Sequence, residues 1–163
     1  MAREIEITDE MRAVVGQPTP PWTMEVTTTS VRAFARGVGY RDPVYFDVEA
    51  ARKAGYRSLP APPTYLGTPV YVPGISDETF SAPREGRPRI KHGLKGLLDG
   101  GTETEYLETI CAGDTLTVVS MVASLDVRMT PSLGMILLVT TESTFTNQDG
   151  KVVAVQKGQA IYY

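Results

Sequence analysis

The chain has 163 residues, of which 42% are hydrophobic and 21% charged, the size and composition of one folded domain. Sixteen Lys and Arg against nineteen Asp and Glu give a net charge of −3, which argues against general nucleic-acid binding. The single cysteine, Cys111, excludes an intrachain disulfide and a cysteine-based zinc site, and the single histidine, His92, excludes a mechanism that needs two histidines from one chain.

In chain order, the first expected element is a short helix opening near Ile7, with Thr8 or Asp9 as its cap. Pro18, Pro20 and Pro21 then impose an extended segment. Alternation over 23–27 reads as a strand. Ser30 is placed to cap a helix over 31–37, with Val31, Phe34, Ala35 and Val38 on one face. A further helix over 48–54 should stop at Gly55. Pro63 suits the first turn of a third helix, running from Thr64 to about Val72. That stretch has no charge, which is the mark of a buried helix, although Pro69 should kink or shorten it.

Residues 73–95 are rich in Pro, Gly and charge and read as a long loop. Strands are expected over 101–108, 115–125, 135–146 and 152–162, with turns at Gly113-Asp114, at 130–134 and at Asn147 to Gly150. The order gives an α+β fold. Four strands form an antiparallel meander, the early strand completes the sheet, and the sheet wraps the apolar helix. A sheet of this kind has an unsupported edge, which dimerisation commonly covers.

No apolar run reaches the ~18 residues of a membrane helix, and the charged N-terminus lacks the apolar centre of a signal peptide. The expectation is a soluble cytoplasmic protein with no cofactor, no metal, and neither nucleic acid nor membrane as a partner.

Several motifs carry a resemblance. They are Arg41-Asp42-Pro43-Val44-Tyr45-Phe46-Asp47, Ala50-Ala51-Arg52-Lys53-Ala54-Gly55-Tyr56, Ala61-Pro62-Pro63-Thr64-Tyr65, Gly100-Gly101-Thr102-Glu103, Ala112-Gly113-Asp114-Thr115-Leu116, and the run from Thr146 to Ala154. In their order and spacing they resemble the MaoC-like dehydratase N-terminal family, also called FAS1-like dehydratase domains, over nearly the whole chain. The resemblance implies a hot-dog fold, expected as one domain over 1–163 with no second hot-dog fused. It also implies work on 2-enoyl or 3-hydroxyacyl thioesters of coenzyme A or acyl carrier protein.

Hydrating an enoyl thioester requires a group that activates water, a proton for the α-carbon and N–H donors for the enolate oxygen. The resemblance implies an Asp followed closely by a His, before the buried helix. Asp42 matches the Asp, but Tyr45 stands at the His position. A phenol with a pKa of about 10 is a poor base at neutral pH. His92 lies roughly fifty residues further on and matches no catalytic motif. Asp99 stands where relatives often have His before the Gly-Gly pair. The family's carbonyl-polarising N–H at the helix start falls on Pro62-Pro63, which have none, leaving Thr64 as a substitute donor.

Each candidate has a second, structural reading. Asp42 is a catalytic carboxylate or a cap for the turn at Pro43. Tyr45 is a proton donor or a packed aromatic. His92 is catalytic or is simply solvated. Arg84, Arg87, Arg89, Lys91 and Lys95 either meet coenzyme A phosphates or an acidic carrier, or form a solvated face. Pro63, Thr64, Tyr65, Arg87, Arg89, His92, Gly100 and Gly101 are the substrate-binding candidates.

The resulting expectation is a subunit of an enoyl-thioester hydratase or 3-hydroxyacyl dehydratase. It would shape an acyl tunnel beside a catalytic hot-dog partner, as the resemblance to the acyl-binding subunit of a mycobacterial (3R)-hydroxyacyl-ACP dehydratase suggests. The alternatives are an acyl-CoA-binding homodimer without turnover and a self-sufficient hydratase with an atypical site.

Overall fold

The structure, a computed structural model, describes residues 5–67 and 88–163. Its elements are α1 (Asp9–Val14), β1 (Trp22–Glu25), α2 (Thr28–Val38), a 3₁₀ turn (Pro43–Tyr45), α3 (Val48–Lys53), a second 3₁₀ turn (Tyr65–Gly67), and strands β2 (Leu97–Tyr106), β3 (Thr115–Thr130), β4 (Gly134–Thr146) and β5 (Val152–Tyr162).

The strands form one antiparallel sheet in the order β1-β3-β4-β5-β2. The expected four-strand meander is therefore corrected. Only β3, β4 and β5 run as a meander, while β2 pairs with β5 at the far edge. Short turns at 131–133 and 147–150 fix the β3–β4 and β4–β5 neighbours. The long 107–114 connection lets β2 sit away from β3. The expected early strand joins the sheet through β3, with Trp22 opposite Val118.

The N-cap of α2 is Thr27, not Ser30. Thr27 Oγ1 accepts from Ser30 N–H at 3.0 Å, and Ser30 Oγ accepts from Thr27 N–H at 3.0 Å, forming a reciprocal capping box. Helix α2 thus begins three residues before the expected start, at Thr28. Its inward face buries Val31 and Ala35 completely, but Val38, expected on that face, is 52% exposed. Of the expected apolar helix, Tyr65–Gly67 forms a 3₁₀ turn, and 68–72 lies outside the described residues, as do Arg84 and Arg87.

The inward side of the sheet carries two apolar clusters. One joins Leu116, Val118, Phe145 and Ala154 of the sheet to Val31, Leu59, Tyr65 and Leu66. The other joins Val122, Leu137 and Val139 to Met11, with Ile90, Leu94 and Tyr162 packed against them. They occupy opposite ends of the strands.

A buried carboxylate organises the first cluster's rim. Asp114 is 2% exposed. Its Oδ2 accepts from Cys111 N–H at 2.8 Å and pairs with the Arg57 guanidinium, and its Oδ1 accepts from Gln148 Nε2 at 3.2 Å. Its backbone carbonyl accepts from Val26 N–H at 2.8 Å. Removing the carboxylate leaves a buried N–H without its acceptor. Asp114→Ala should therefore lower unfolding free energy by about 2–4 kcal/mol, read from urea denaturation. A loss under about 0.5 kcal/mol, the size of an ordinary surface change, would contradict this role.

Candidate functional site

The Asp42 motif forms the first 3₁₀ turn. Asp42 is its N-cap, with Oδ1 accepting from Val44 N–H at 3.0 Å, and Pro43 occupies the first helical position, where no N–H is required. The turn-capping reading of Asp42 is thus realised, with the residue exposed to solvent. Arg32 Nε ties α2 to this turn through the Phe46 carbonyl at 2.9 Å.

Tyr45 stacks on Tyr40, with ring centroids 5.3 Å apart. Its phenol is held above the usual value of 10.0, first by burial and then by neighbouring Tyr40, Tyr56 and Asp42. At neutral pH it keeps its proton, so it is no base.

After α3, Gly55 takes a left-handed conformation at φ 93° and turns the chain back. Segment 59–61 then runs antiparallel to 110–112. Ala61 N–H donates to Ile110 O, and Ala112 N–H to Leu59 O, both at 2.8 Å. These segments wall a cavity of about 440 Å³ lined by Tyr45, Tyr56, Pro60, Pro63, Tyr106 and Glu108, among others.

A second cavity, of about 590 Å³, lies between α2 and the inner side of β2 and β5. Phe34 and Val38 line one side, and Thr102, Thr104 and Gln156 the other. Pro63 and Tyr106 belong to both cavities and stand at their junction.

Thr64 also lines the second cavity and has φ 67°, a costly conformation for a β-branched residue. Two prolines precede it, so its N–H is the first donor after them. Burial raises the Tyr106 phenol above its ordinary value, and the Thr64 backbone nearby partly offsets that rise. The substitute donor named from the sequence therefore lies on the second cavity, beside the Pro63 and Tyr106 shared with the first.

The remaining candidates fall elsewhere. Tyr65 is 4% exposed in the core, its hydroxyl 2.7 Å from Ser30 Oγ and its ring edge-on to Phe34. Gly100 and Gly101 form a bulge in β2. Gly101 has φ 105°, its N–H donating to Asp99 Oδ1 at 2.9 Å, and a Cβ on Gly100 would stand 2.9 Å from the Gln159 carbonyl. Both glycines serve the strand pairing, and neither lines the two cavities. Arg89 is exposed beside Ile90 of the second cluster.

His92 packs on Tyr162 with ring centroids 4.0 Å apart, its Nδ1 accepting from Leu94 N–H at 3.1 Å. Tyr162 pairs with Leu97, whereas Tyr106 at the cavities pairs with Ala154. Eight residues of β5 separate these points, about 26 Å at the strand rise. The one imidazole thus sits at the opposite end of the sheet from Asp42 and Tyr45.

The sequence reading missed Tyr56, Tyr106, Thr102, Thr104 and Gln156. The alternation of Thr102, Thr104 and Tyr106 places them on one face of a strand. Gln156 joins them only through the β2–β5 register. Among the described residues no three His, Cys, Asp or Glu side chains converge to hold a metal.

Residues 13–156 match the family described as FAS1-like, dehydratase domain region. The chain belongs to the FAS1-like dehydratase family. It is 33% identical over 136 residues to a UPF0336 protein of Leifsonia xyli, covering 83% of this chain and 82% of that one. It is 25% identical over 143 residues to a probable enoyl-CoA hydratase alpha subunit of Thermomonospora curvata, covering 85% of this chain but 45% of that subunit.

Among solved structures, it is similar to the ChsH1-ChsH2 complex of Mycobacterium tuberculosis, with TM-score 0.72, 20% identity, and coverage of 90% of this chain and 84% of that one. It is also similar to the HadBC (3R-hydroxyacyl-ACP dehydratase) complex of the same organism, with TM-score 0.65, 22% identity, and coverage of 91% and 96%. The α+β fold is thus a hot-dog, as the motifs of this FAS1-like dehydratase chain implied. No helix among the described residues is long and apolar enough to cross a membrane.

His92 is displaced below its ordinary value of 6.5 by burial. The unfolded chain then binds this proton at higher pH than the folded one. The stability His92 contributes is complete above pH 6.5 and is lost as pH falls below it. Because the chain has one histidine, its ring proton NMR signal isolates this group, and the titration midpoint should fall below 6.5. A midpoint above that value would mean a carboxylate reaches the ring.

Proposed function

We propose that this chain is the acyl-binding subunit of an enoyl-thioester hydratase or 3-hydroxyacyl-thioester dehydratase, acting beside a hot-dog partner that supplies the catalytic base. Hydration forms a C–O bond at the β-carbon and a C–H bond at the α-carbon, and a base must take the proton from water. The observation that carries the reading is the Asp42 turn. Tyr45 holds its proton at neutral pH, and the chain's one imidazole packs on Tyr162, eight residues along β5 from the position opposite Tyr106. Two cavities meeting at Pro63, beside the Thr64 backbone and Tyr106 hydroxyl, suit a thioester carbonyl with its acyl group.

An exposed edge supports a partner. β2 is ten residues long, and among the described residues nothing pairs with its outer side. Leu97, Leu98, Tyr106 and Leu107 on and beside it are 59%, 44%, 41% and 50% exposed. A long edge of this kind favours covering by another chain. Relatives described as subunits or complexes point the same way. In this reading the site works in the cytoplasm on thioesters of coenzyme A or acyl carrier protein.

The test follows hydration of crotonyl-CoA and a longer enoyl-CoA at the thioester absorbance. The chain alone should give no turnover. Mixed with a hot-dog subunit carrying an intact Asp–His pair, it should turn over, with Asp42→Asn changing the rate less than about threefold. Turnover by the chain alone, abolished in Asp42→Asn, would overturn the subunit reading and make this a self-contained enzyme. Binding without turnover in either case would leave the acyl-CoA-binding homodimer.

A further inference from the structure

The inner side of the sheet carries a belt of polar residues between its two apolar clusters. Thr104 of β2, Gln156 of β5, Ser143 of β4 and Ser120 of β3 stand in register as one row across four strands. Gln156 Nε2 donates to Thr104 Oγ1 at 3.0 Å, and the Ser120 and Ser143 hydroxyls are 2.7 Å apart.

The next row holds Thr102, Gly158 and Thr141. Thr141 donates to the Gly158 carbonyl at 3.3 Å, and Gly158 leaves the space between the two threonines without a side chain. Val122 ends this second row on β3. On the inner side, Val118 with Phe145 and Val139 with Leu137 flank the belt on either side.

Ser120 is buried, Ser143, Thr104 and Gln156 are half-buried, and Thr102 is open to solvent; covering such groups costs stability unless they are hydrogen-bonded. The belt's bonds are incomplete. The Thr102 hydroxyl and the Gln156 Oε1 have no hydrogen-bond partner among the described residues. Both residues line the second cavity, facing Phe34 and Val38. The cavity is therefore two-sided, with an alkyl-accepting wall on α2 and a wall of donors and acceptors on β2 and β5. Its volume of about 590 Å³ suits a small ligand.

We propose that this second cavity takes the distal part of an acyl group bearing a hydroxyl or ketone oxygen, and selects it over a plain alkyl chain. Thr102, Thr104 and Gln156 hydrogen-bond that oxygen, while Phe34 and Val38 cover the opposite edge of the chain. A plain alkyl group would cover the Thr102 hydroxyl and Gln156 Oε1 without offering either a partner, which is the basis of the selectivity. This inference rests on the thioester-binding reading above and adds the chemical class of the acyl group.

The test is calorimetric binding of octanoyl-CoA, of its mid-chain hydroxy and terminal hydroxy analogues, and of coenzyme A alone to the purified chain. At least one hydroxy analogue should bind about tenfold more tightly than octanoyl-CoA. Gln156→Leu should erase that preference. Thr104→Val, which keeps the side-chain shape, should reduce it should the leucine variant fail to fold. Equal affinity for all three acyl thioesters would overturn this inference and leave the thioester reading standing. Binding of no acyl thioester better than coenzyme A would overturn both.

Discussion

The Asp114 carboxylate holds together the parts of the chain that make the cavities. It is almost wholly buried, yet it reaches Arg57, the Cys111 N–H and Gln148 with its side chain, and its own carbonyl receives Val26 N–H. These contacts join the end of β1, the chain after α3, the approach to β3 and the β4–β5 turn. Segments 59–61 and 110–112 then lie side by side as one wall of the first cavity. Pro62 and Pro63 follow from that wall, and the left-handed Thr64 turns Tyr65 into the core. The position of the junction at Pro63 and Tyr106 thus depends on a charge buried some distance from it.

From this frame the chemistry divides unevenly. The chain supplies walls, two cavities that share Pro63 and Tyr106, the Thr64 backbone and a phenol at Tyr106. It supplies no imidazole there, because His92 packs on Tyr162 beside the other apolar cluster. Burial lifts the Tyr45 and Tyr106 phenols alike, so at neutral pH both act as neutral hydrogen-bonding groups. In the proposed reading, a site of this composition binds and orients an acyl thioester. A base from a second chain would complete it, and the exposed β2 edge offers a place for that chain to dock.

The sequence carried much of the fold. Period-two alternation marked the long strands, Asn147 to Gly150 marked the last hairpin, and the order of motifs marked the hot-dog. What it did not carry was strand adjacency. β2 pairs with β5 because the 107–114 connection frees it from β3, and connection length alone does not choose a partner. Local capping also misled. Ser30 is a good cap type, but Thr27 takes the role because Ser30 can answer it as the third residue of a capping box. At the site, Asp42, Tyr45, Pro63 and Thr64 were legible as motif positions. Gln156 was not, since its place beside Thr104 exists only in the register of β2 with β5. Tyr65, adjacent to Thr64 in sequence, points the other way because the positive φ at Thr64 reverses the chain.

The central claim is that this chain holds an acyl thioester at the junction of Pro63 and Tyr106 rather than at the His92 end of the sheet. Amide hydrogen exchange with and without saturated octanoyl-CoA tests it directly, since a saturated chain cannot react. The account predicts slowed exchange at 34–38, 64–67 and 102–107, with 88–96 unchanged. Protection confined to 88–96, or none in the presence of saturating ligand, would contradict it.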